Sequence, residues 1–258
     1  MAHITKVNGT AYEISGGKTK INGTGYGIAG GKTRVNGTGY DISFAPPIAS
    51  KFADNDWATI IWACQNNAVP SAWAVGDSKD MTINGQNYKI NIIGKNHDTY
   101  SDGSGTAPLT FQMQGYYNTK YQMNSSNTNQ GGWGSCAMRN THLPAILALM
   151  PSEVQEAIKE VNKIYCVSWV TMEMSTVADK LFLLSEQEVW GKRTWAPQIE
   201  GSQYALYASG VSKMKNSVWW QRSIYVNNST DFCCVYANGN IGYYGASASG
   251  GVVPAFCF

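Results

Sequence analysis

Three copies of a 14-residue unit fill the first 45 residues. Val7-Asn8-Gly9-Thr10-Ala11-Tyr12-Glu13-Ile14 recurs as Ile21-Asn22-Gly23-Thr24-Gly25-Tyr26-Gly27-Ile28 and as Val35-Asn36-Gly37-Thr38-Gly39-Tyr40-Asp41-Ile42. Asn-Gly is the strongest two-residue hairpin signal, because both central turn positions need positive φ. Gly16-Gly17-Lys18-Thr19 and Gly30-Gly31-Lys32-Thr33 link the copies, and each Gly-Gly supplies the opposite turn. Each unit therefore reads as two short strands with Tyr and Ile on one face. So narrow a ribbon cannot bury enough apolar surface alone. It must pack on itself, on neighbouring subunits or on a larger assembly, which makes 1–45 an attachment or oligomerisation segment. Gly-Gly-Lys-Thr is no phosphate loop: the glycine such a loop needs five positions earlier is Tyr12 or Tyr26 here.

Phe44-Ala45-Pro46-Pro47 breaks the pattern, so a second domain spans 46–258. Asp54-Asn55-Asp56-Trp57 opens an amphipathic helix running to about Asn66, with Asp or Asn as its cap. Met81–Ile90 is another Asn-Gly hairpin, its second strand continuing to Gly94. A helix is expected over Ser135–Met150, interrupted at Pro144, and another over Pro151–Ile164, where Val154, Ala157, Ile158 and Val161 form one stripe. Lys180–Leu184 reads as a short buried strand. Trp219–Phe258 reads as several strands joined by Asn- and Gly-rich turns. Helices early and strands late give an α+β domain behind a small all-β hairpin-repeat segment.

Composition narrows the function. Only 14% of the 258 residues are charged, against about a quarter in ordinary soluble domains. The net charge of +2 gives nucleic acid no electrostatic footprint. No apolar run is long enough for a membrane span, and the N-terminus lacks the apolar core of a signal peptide. Cys64, Cys136, Cys166, Cys233, Cys234 and Cys257 lack the spacing of a zinc site and read as buried free thiols. Gln130–Cys136 has the look of a thiol-protease nucleophile segment. The only downstream histidine is His142, six residues on, so a helix-opening turn is the better reading. His97-Asp98 reads as a structural pair, and Glu186 and Glu188 show no defensible partner. The chain is expected to be no enzyme and to need no metal or cofactor.

Seven ordered segments carry a resemblance: Trp73–Asp77, Ile92–Asp98, Met123–Trp133 leading into Ser135 and Met138-Arg139, Asp179–Glu186, Glu200–Tyr204, Trp219–Ser223, and Gly251–Cys257. Over roughly 50–258 the chain resembles the DUF6273 family, a domain of unknown function common in gut bacteria and their phages. That family looks like a relative of the C-type-lectin fold, similar to the variable proteins of diversity-generating retroelements. The N-terminal repeats resemble those of phage tail-associated proteins. The resemblance implies a receptor-binding protein of a phage tail or tail fibre, with the bacterial cytoplasm or cell surface as the alternative location. Its ligand would be a protein or glycan on a bacterial surface. Its repeats would meet other virion proteins, and a homo-oligomer, plausibly a trimer, would follow. Gln221 and Ile224 replace the Leu and Pro that often follow the tryptophan pair in the family. Calcium-lectin tripeptides are absent, so calcium-dependent sugar binding does not carry over. Competing readings are an oxidase related to formylglycine-generating enzymes, though no motif assigns Cys233, Cys234 or Cys257 a redox role, and a structural decoration of the virion.

The last 42 residues are distinct in their own right, holding nine aromatics and only two charges, Arg222 and Asp231. From Arg222 onward there is no Lys, Glu, Gln, Met or Trp. Codons ending in a pyrimidine encode none of these five, which fits a template altered only at the adenines of Asn codons. Tyr, Ser, Gly and Asn are also the vocabulary of adaptable binding surfaces. The variable region is therefore placed at about 219–258. Trp219, Trp220, Arg222, Ser223, Phe232 and Gly239 are expected to be scaffold. Ligand contact is expected from Gln221, Ile224, Tyr225, Val226, Asn227, Asp231, Cys234, Tyr236, Asn238, Asn240, Ile241, Tyr243 and Tyr244. Strand alternation requires some of these to point inward.

Overall fold

The computed structural model describes residues 45–258 in full, and within 1–44 the backbone of residues 3–7, 10–14, 17–21, 24–28, 30–35 and 38–43. The chain divides into two compact units, Met1–Ile48 and Ala49–Phe258.

In the first unit, β1 (His3–Val7) pairs antiparallel with β2 (Thr10–Ile14), β3 (Gly17–Ile21) with β4 (Thr24–Ile28), and β5 (Gly30–Val35) with β6 (Thr38–Ser43). The repeat thus makes three hairpins, two strands per unit, as its pattern predicts. The expected Asn-Gly turns, Asn8-Gly9, Asn22-Gly23 and Asn36-Gly37, lie outside the described residues. The expected Gly-Gly turns need correction. Gly17, Gly30 and Gly31 already belong to strands, because the ladder extends back over them.

The second unit is mixed α and β, mostly sheet. A four-stranded antiparallel sheet runs in the order β15 (Ala255–Cys257), β9 (Leu109–Met113), β8 (Gln86–Lys95), β7 (Ser78–Ile83). The β7–β8 turn is the one the sequence announces: Asn84 and Gly85 have φ of 48° and 74°, both positive as a type I′ turn requires. One sheet face carries Phe111, which meets Phe52, Trp57, Phe256 and Phe258 at centroid separations of 5.3–6.1 Å. Trp57 begins helix α1 (Trp57–Gln65), capped by Asp56, whose carboxylate accepts from the Thr59 amide. The other face carries Thr110 and Gln112, both buried.

A three-stranded sheet follows the order β12 (Trp219–Ile224), β13 (Asp231–Val235), β14 (Ile241–Gly245). A third, two-stranded ribbon joins β10 (Val161–Cys166) to β11 (Met174–Asp179).

Two expectations change here. The helix predicted over Pro151–Ile164 is helical only at Ser152–Ala157, and Val161 onward is strand β10. Val161, Lys163 and Tyr165 are buried while Asn162 and Ile164 are exposed, so the inward period is two, and the pairing to β11 overrides helical spacing. Of Lys180–Leu184, Leu181 to Leu184 are buried and Lys180 is partly exposed, but the segment is not a ladder strand. Only Phe182 bridges, to Ala255, and the Leu183 and Leu184 carbonyls instead accept from Arg222. Over Ser135–Met150 the helix is divided. Gly132–Ser135 is one turn, Met138–His142 is π-helical, and Leu143–Leu147 restarts with Pro144 in its first turn.

Candidate functional site

Beneath the three-stranded sheet lies a buried charge cluster that sets its position. Lys163 Nζ is 2.5 Å from Asp98 Oδ1, 3.1 Å from Glu188 Oε1 and 3.0 Å from the Tyr204 hydroxyl. Arg222 binds Glu188 through two nitrogens, at 2.5 and 3.0 Å. Its remaining donors reach the carbonyls of Ile164, Leu183 and Glu200. Every guanidinium donor is thus used. Asp98, Lys163, Glu188 and Arg222 are each at most 4% exposed, so breaking one pair would strand a charge in low dielectric.

Burial opposes ionisation of Asp98, yet the Lys163 charge and the hydrogen bonds from Lys163 and Thr110 outweigh it and hold its carboxyl down to about 2. Burial likewise opposes Glu188, but Arg222 and Lys163 keep its pKa below the usual carboxylate range. Glu200 has no such cation to itself. Burial pushes it up to about 7 despite Arg222, Ser223 and the Cys166 amide. Glu200 still ties three segments together, taking the Ser223 hydroxyl at 2.5 Å and the Cys166 amide at 2.7 Å.

This frame explains the expected scaffold residues. Trp219, Trp220, Arg222, Ser223 and Phe232 are all at most 1% exposed. Trp219 and Trp220 donate from their indole nitrogens to the carbonyls of Lys213 and Tyr121. Gly239 has φ of 85° and closes the β13–β14 turn through its amide to the Tyr236 carbonyl. Buried Asn129 donates to the carbonyls of Asn228 and Asp231, which clamps the β12–β13 turn.

The thirteen expected contact residues divide. Asn227, Asn238, Asn240 and Tyr244 are exposed, and Val226, Asp231, Tyr236, Ile241 and Tyr243 are partly so. Gln221, Ile224 and Cys234 are wholly buried and Tyr225 is only 7% exposed. Those four expectations are corrected, for a physical reason. Trp220, Ile224, Phe232 and Cys234 share one face through the register Trp220↔Cys234 and Ile224↔Phe232, and β12 is buried at all six positions on both faces, whereas Tyr244, opposite Phe232, lies on the edge strand β14 and is exposed. Gln221 is enclosed beside the Ser185 carbonyl.

Tyr225 contributes indirectly. It stacks on Tyr243 at 3.9 Å, and Trp195 meets both edge-on at 5.8 and 5.6 Å. Trp195 was not among the expected contacts, since it lies some 25 residues upstream of the variable stretch. It is placed by Glu186, whose buried carboxylate accepts from the amides of Thr194, Trp195 and Ala196 at 2.8–3.1 Å. The Val226 amide then donates to the Trp195 carbonyl. Gly242 packs beneath the Tyr236 ring so closely that a Cβ there would lie 2.3 Å from it.

A cleft of about 430 Å³ opens onto the charge cluster itself, with Asp98, Lys163, Glu188, Glu200 and Arg222 in its lining beside His97. His97 lies flat on Tyr204, with centroids 3.9 Å apart. Asp98, read from the sequence as half of a structural pair with His97, is taken up by Lys163, Thr110 and the Tyr204 hydroxyl. All six thiols are buried and unpaired. Burial pushes Cys64, Cys136 and Cys234 up to about 12 and Cys233 and Cys257 well above the ordinary thiol value, where thiolate chemistry is suppressed. Cys136 follows a turn opened by left-handed Gly131, while His142 stacks on Tyr121 instead.

The sequence pattern described as "Domain of unknown function (DUF6273)" matches residues 109–258. The chain belongs to that family. The matched stretch contains β12–β14, Glu186, Glu188, Glu200 and Arg222, though not Asp98. No curated protein and no solved structure matches the chain.

Proposed function

We propose that this protein is a non-enzymatic ligand- or receptor-binding protein that presents a diversifiable face on a C-type-lectin-like scaffold. In this reading the β12–β14 rim meets a protein or glycan on a bacterial surface. The hairpin segment attaches the protein to a phage tail or joins its copies, as a trimer in the assembly the resemblance implies.

One observation carries the reading. Exposed Asn227 in the β12–β13 turn, exposed Asn238 and Asn240 with partly exposed Tyr236 in the β13–β14 turn, and Tyr244, Ile241 and Tyr243 on β14 surround strands anchored through Arg222 to the Glu188–Lys163–Asp98 cluster. Outward positions can then change while the frame stays put. Large aromatic rings and small amides suit such a surface because they offer area and hydrogen bonds at low conformational cost. Buried thiols held protonated count against the oxidase reading, which needs a reactive sulfur within reach of substrate.

The test replaces Asn227, Asn238, Asn240 and Tyr244 together by alanine and measures binding of the labelled protein to a panel of bacterial strains. Binding should fall at least about tenfold, about 1.4 kcal/mol, with an unchanged melting temperature. Undiminished binding would remove the rim from the function. Sequencing the flanking DNA adds a second check: a near-copy of the 3′ coding end, differing at adenines and lying beside a reverse transcriptase gene, is expected.

A further inference from the structure

Away from the rim, a cavity of about 220 Å³ is lined by Asn91, Gln112, Tyr207, Val211, Met214 and Lys215, with others. Asn91 and Gln112 are register partners on β8 and β9, so their side chains leave the sheet on one face. Gln112 is 2% exposed. Its carbonyl oxygen takes the Tyr207 hydroxyl at 2.7 Å, while its Nε2 has no partner among the described residues. Asn91 Oδ1 is also without a partner there.

Across the same cavity, Lys215 Nζ donates to the Gln114 carbonyl and lies 5.3 Å from the Trp219 ring centroid. No carboxylate approaches this amine within 4.0 Å among the described residues. Lys215 is partly exposed, and desolvation lowers its pKa to about 8, so it remains charged at neutral pH while lacking an anion among the described residues.

Buried polar groups almost always find partners, and each one left alone costs about 1–3 kcal/mol. Here a stranded amide donor, a stranded carbonyl acceptor and a lysine without a counter-ion line one small cavity. We propose that the cavity binds a small carboxylic acid: one carboxylate oxygen on Lys215 Nζ, the other on Gln112 Nε2, and a hydroxyl or amino donor of the ligand on Asn91 Oδ1. Val211 and Met214 offer the hydrocarbon part an apolar wall. A single lysine matches a single negative charge. A phosphate would bring further oxygens against the Asn91 acceptor, which repels them, so a carboxylate is the better match.

The probe is L-lactate, which carries both a carboxylate and a hydroxyl, titrated into the full chain at about pH 6.5, where Lys215 is protonated. The readout is the Gln112 side-chain amide signal in ¹H–¹⁵N spectra. A saturable shift is expected, with affinity reduced at least about tenfold in Lys215→Met, or in the unaltered protein at about pH 9.5, where the amine is neutral. The pH arm does not depend on the variant folding. Asn91→Leu should weaken lactate but leave acetate, which has no hydroxyl, unchanged. A shift that fails to saturate, that survives both loss of Lys215 and high pH, or that chloride or phosphate reproduces equally would overturn the assignment.

Discussion

Glu186 and Glu188 stand two apart in the chain and do unrelated work. Glu186 gathers three amides of the Trp195 loop, whereas Glu188 joins Arg222 to Lys163. The Ser185-x-x-Glu188 spacing marks Glu188 locally only as the closing residue of a helix capping box; its charged partners lie 25 and 34 positions away and meet it only after folding. Glu188→Gln keeps the shape but removes the charge that two buried cations share. It should cost about 3–5 kcal/mol in urea unfolding, the usual consequence of breaking a buried pair. A cost below about 1 kcal/mol would mean that the cluster behaves like a surface ion pair. Gly132 is the second telling residue. Its φ is 59°, and an added Cβ would sit 2.2 Å from the Cys166 carbonyl oxygen. That atom is backbone and cannot swing aside. Gly132→Ala should therefore destabilise by at least about 2 kcal/mol, combining backbone strain with a clash. A loss within about 0.5 kcal/mol would contradict the geometry.

Elements were legible where the signal was local. The Asn84-Gly85 turn, the α1 cap at Asp56 and the paired strands of each repeat follow from short-range chemistry. The β10 misreading shows the limit. Val154, Ala157, Ile158 and Val161 form a helical stripe on paper, yet the chain turns to strand so that Lys163 points inward to Asp98. Short apolar runs do not separate helix from strand by periodicity alone. The β12–β14 rim makes its own prediction. Asp231 is its only charge outside the buried Arg222, so long-range attraction contributes little to binding there. Affinity for the ligand proposed for this rim should change less than about twofold between roughly 50 and 500 mM salt. A steep loss with salt would place recognition on some other, charged surface.

At the level of the whole second unit, stability should carry two opposed titrations. Glu200 is raised from the ordinary 4.5 to about 7, so its contribution is complete below about pH 4.5 and fades as pH rises through 7. Asp98 is lowered from 3.8 to about 2, so its contribution is present above about pH 3.8 and is lost as pH falls through 2. Together they favour a stability maximum near pH 4–5. Melting temperature measured from pH 3 to 8 should fall on the alkaline side of that maximum. Glu200→Gln should flatten the fall, which amounts to at most a few kcal/mol. An unchanged alkaline slope in Glu200→Gln would show that the proton is not held at Glu200.

The amino-acid sequence alone determined the hairpin repeats, the mixed α and β character of the larger unit, the cysteines as buried free thiols and the family to which the chain belongs. All of these rest on spacing, on turn chemistry or on motifs only a few residues long. Tertiary structure alone decided which side chains of the last strands face outward, and that Trp195 completes their aromatic group. It also decided that Asp98, Lys163, Glu188, Glu200 and Arg222 form one cluster. Register and burial depend on partners far away in the chain, and a buried charge settles only where the fold supplies its counter-charge.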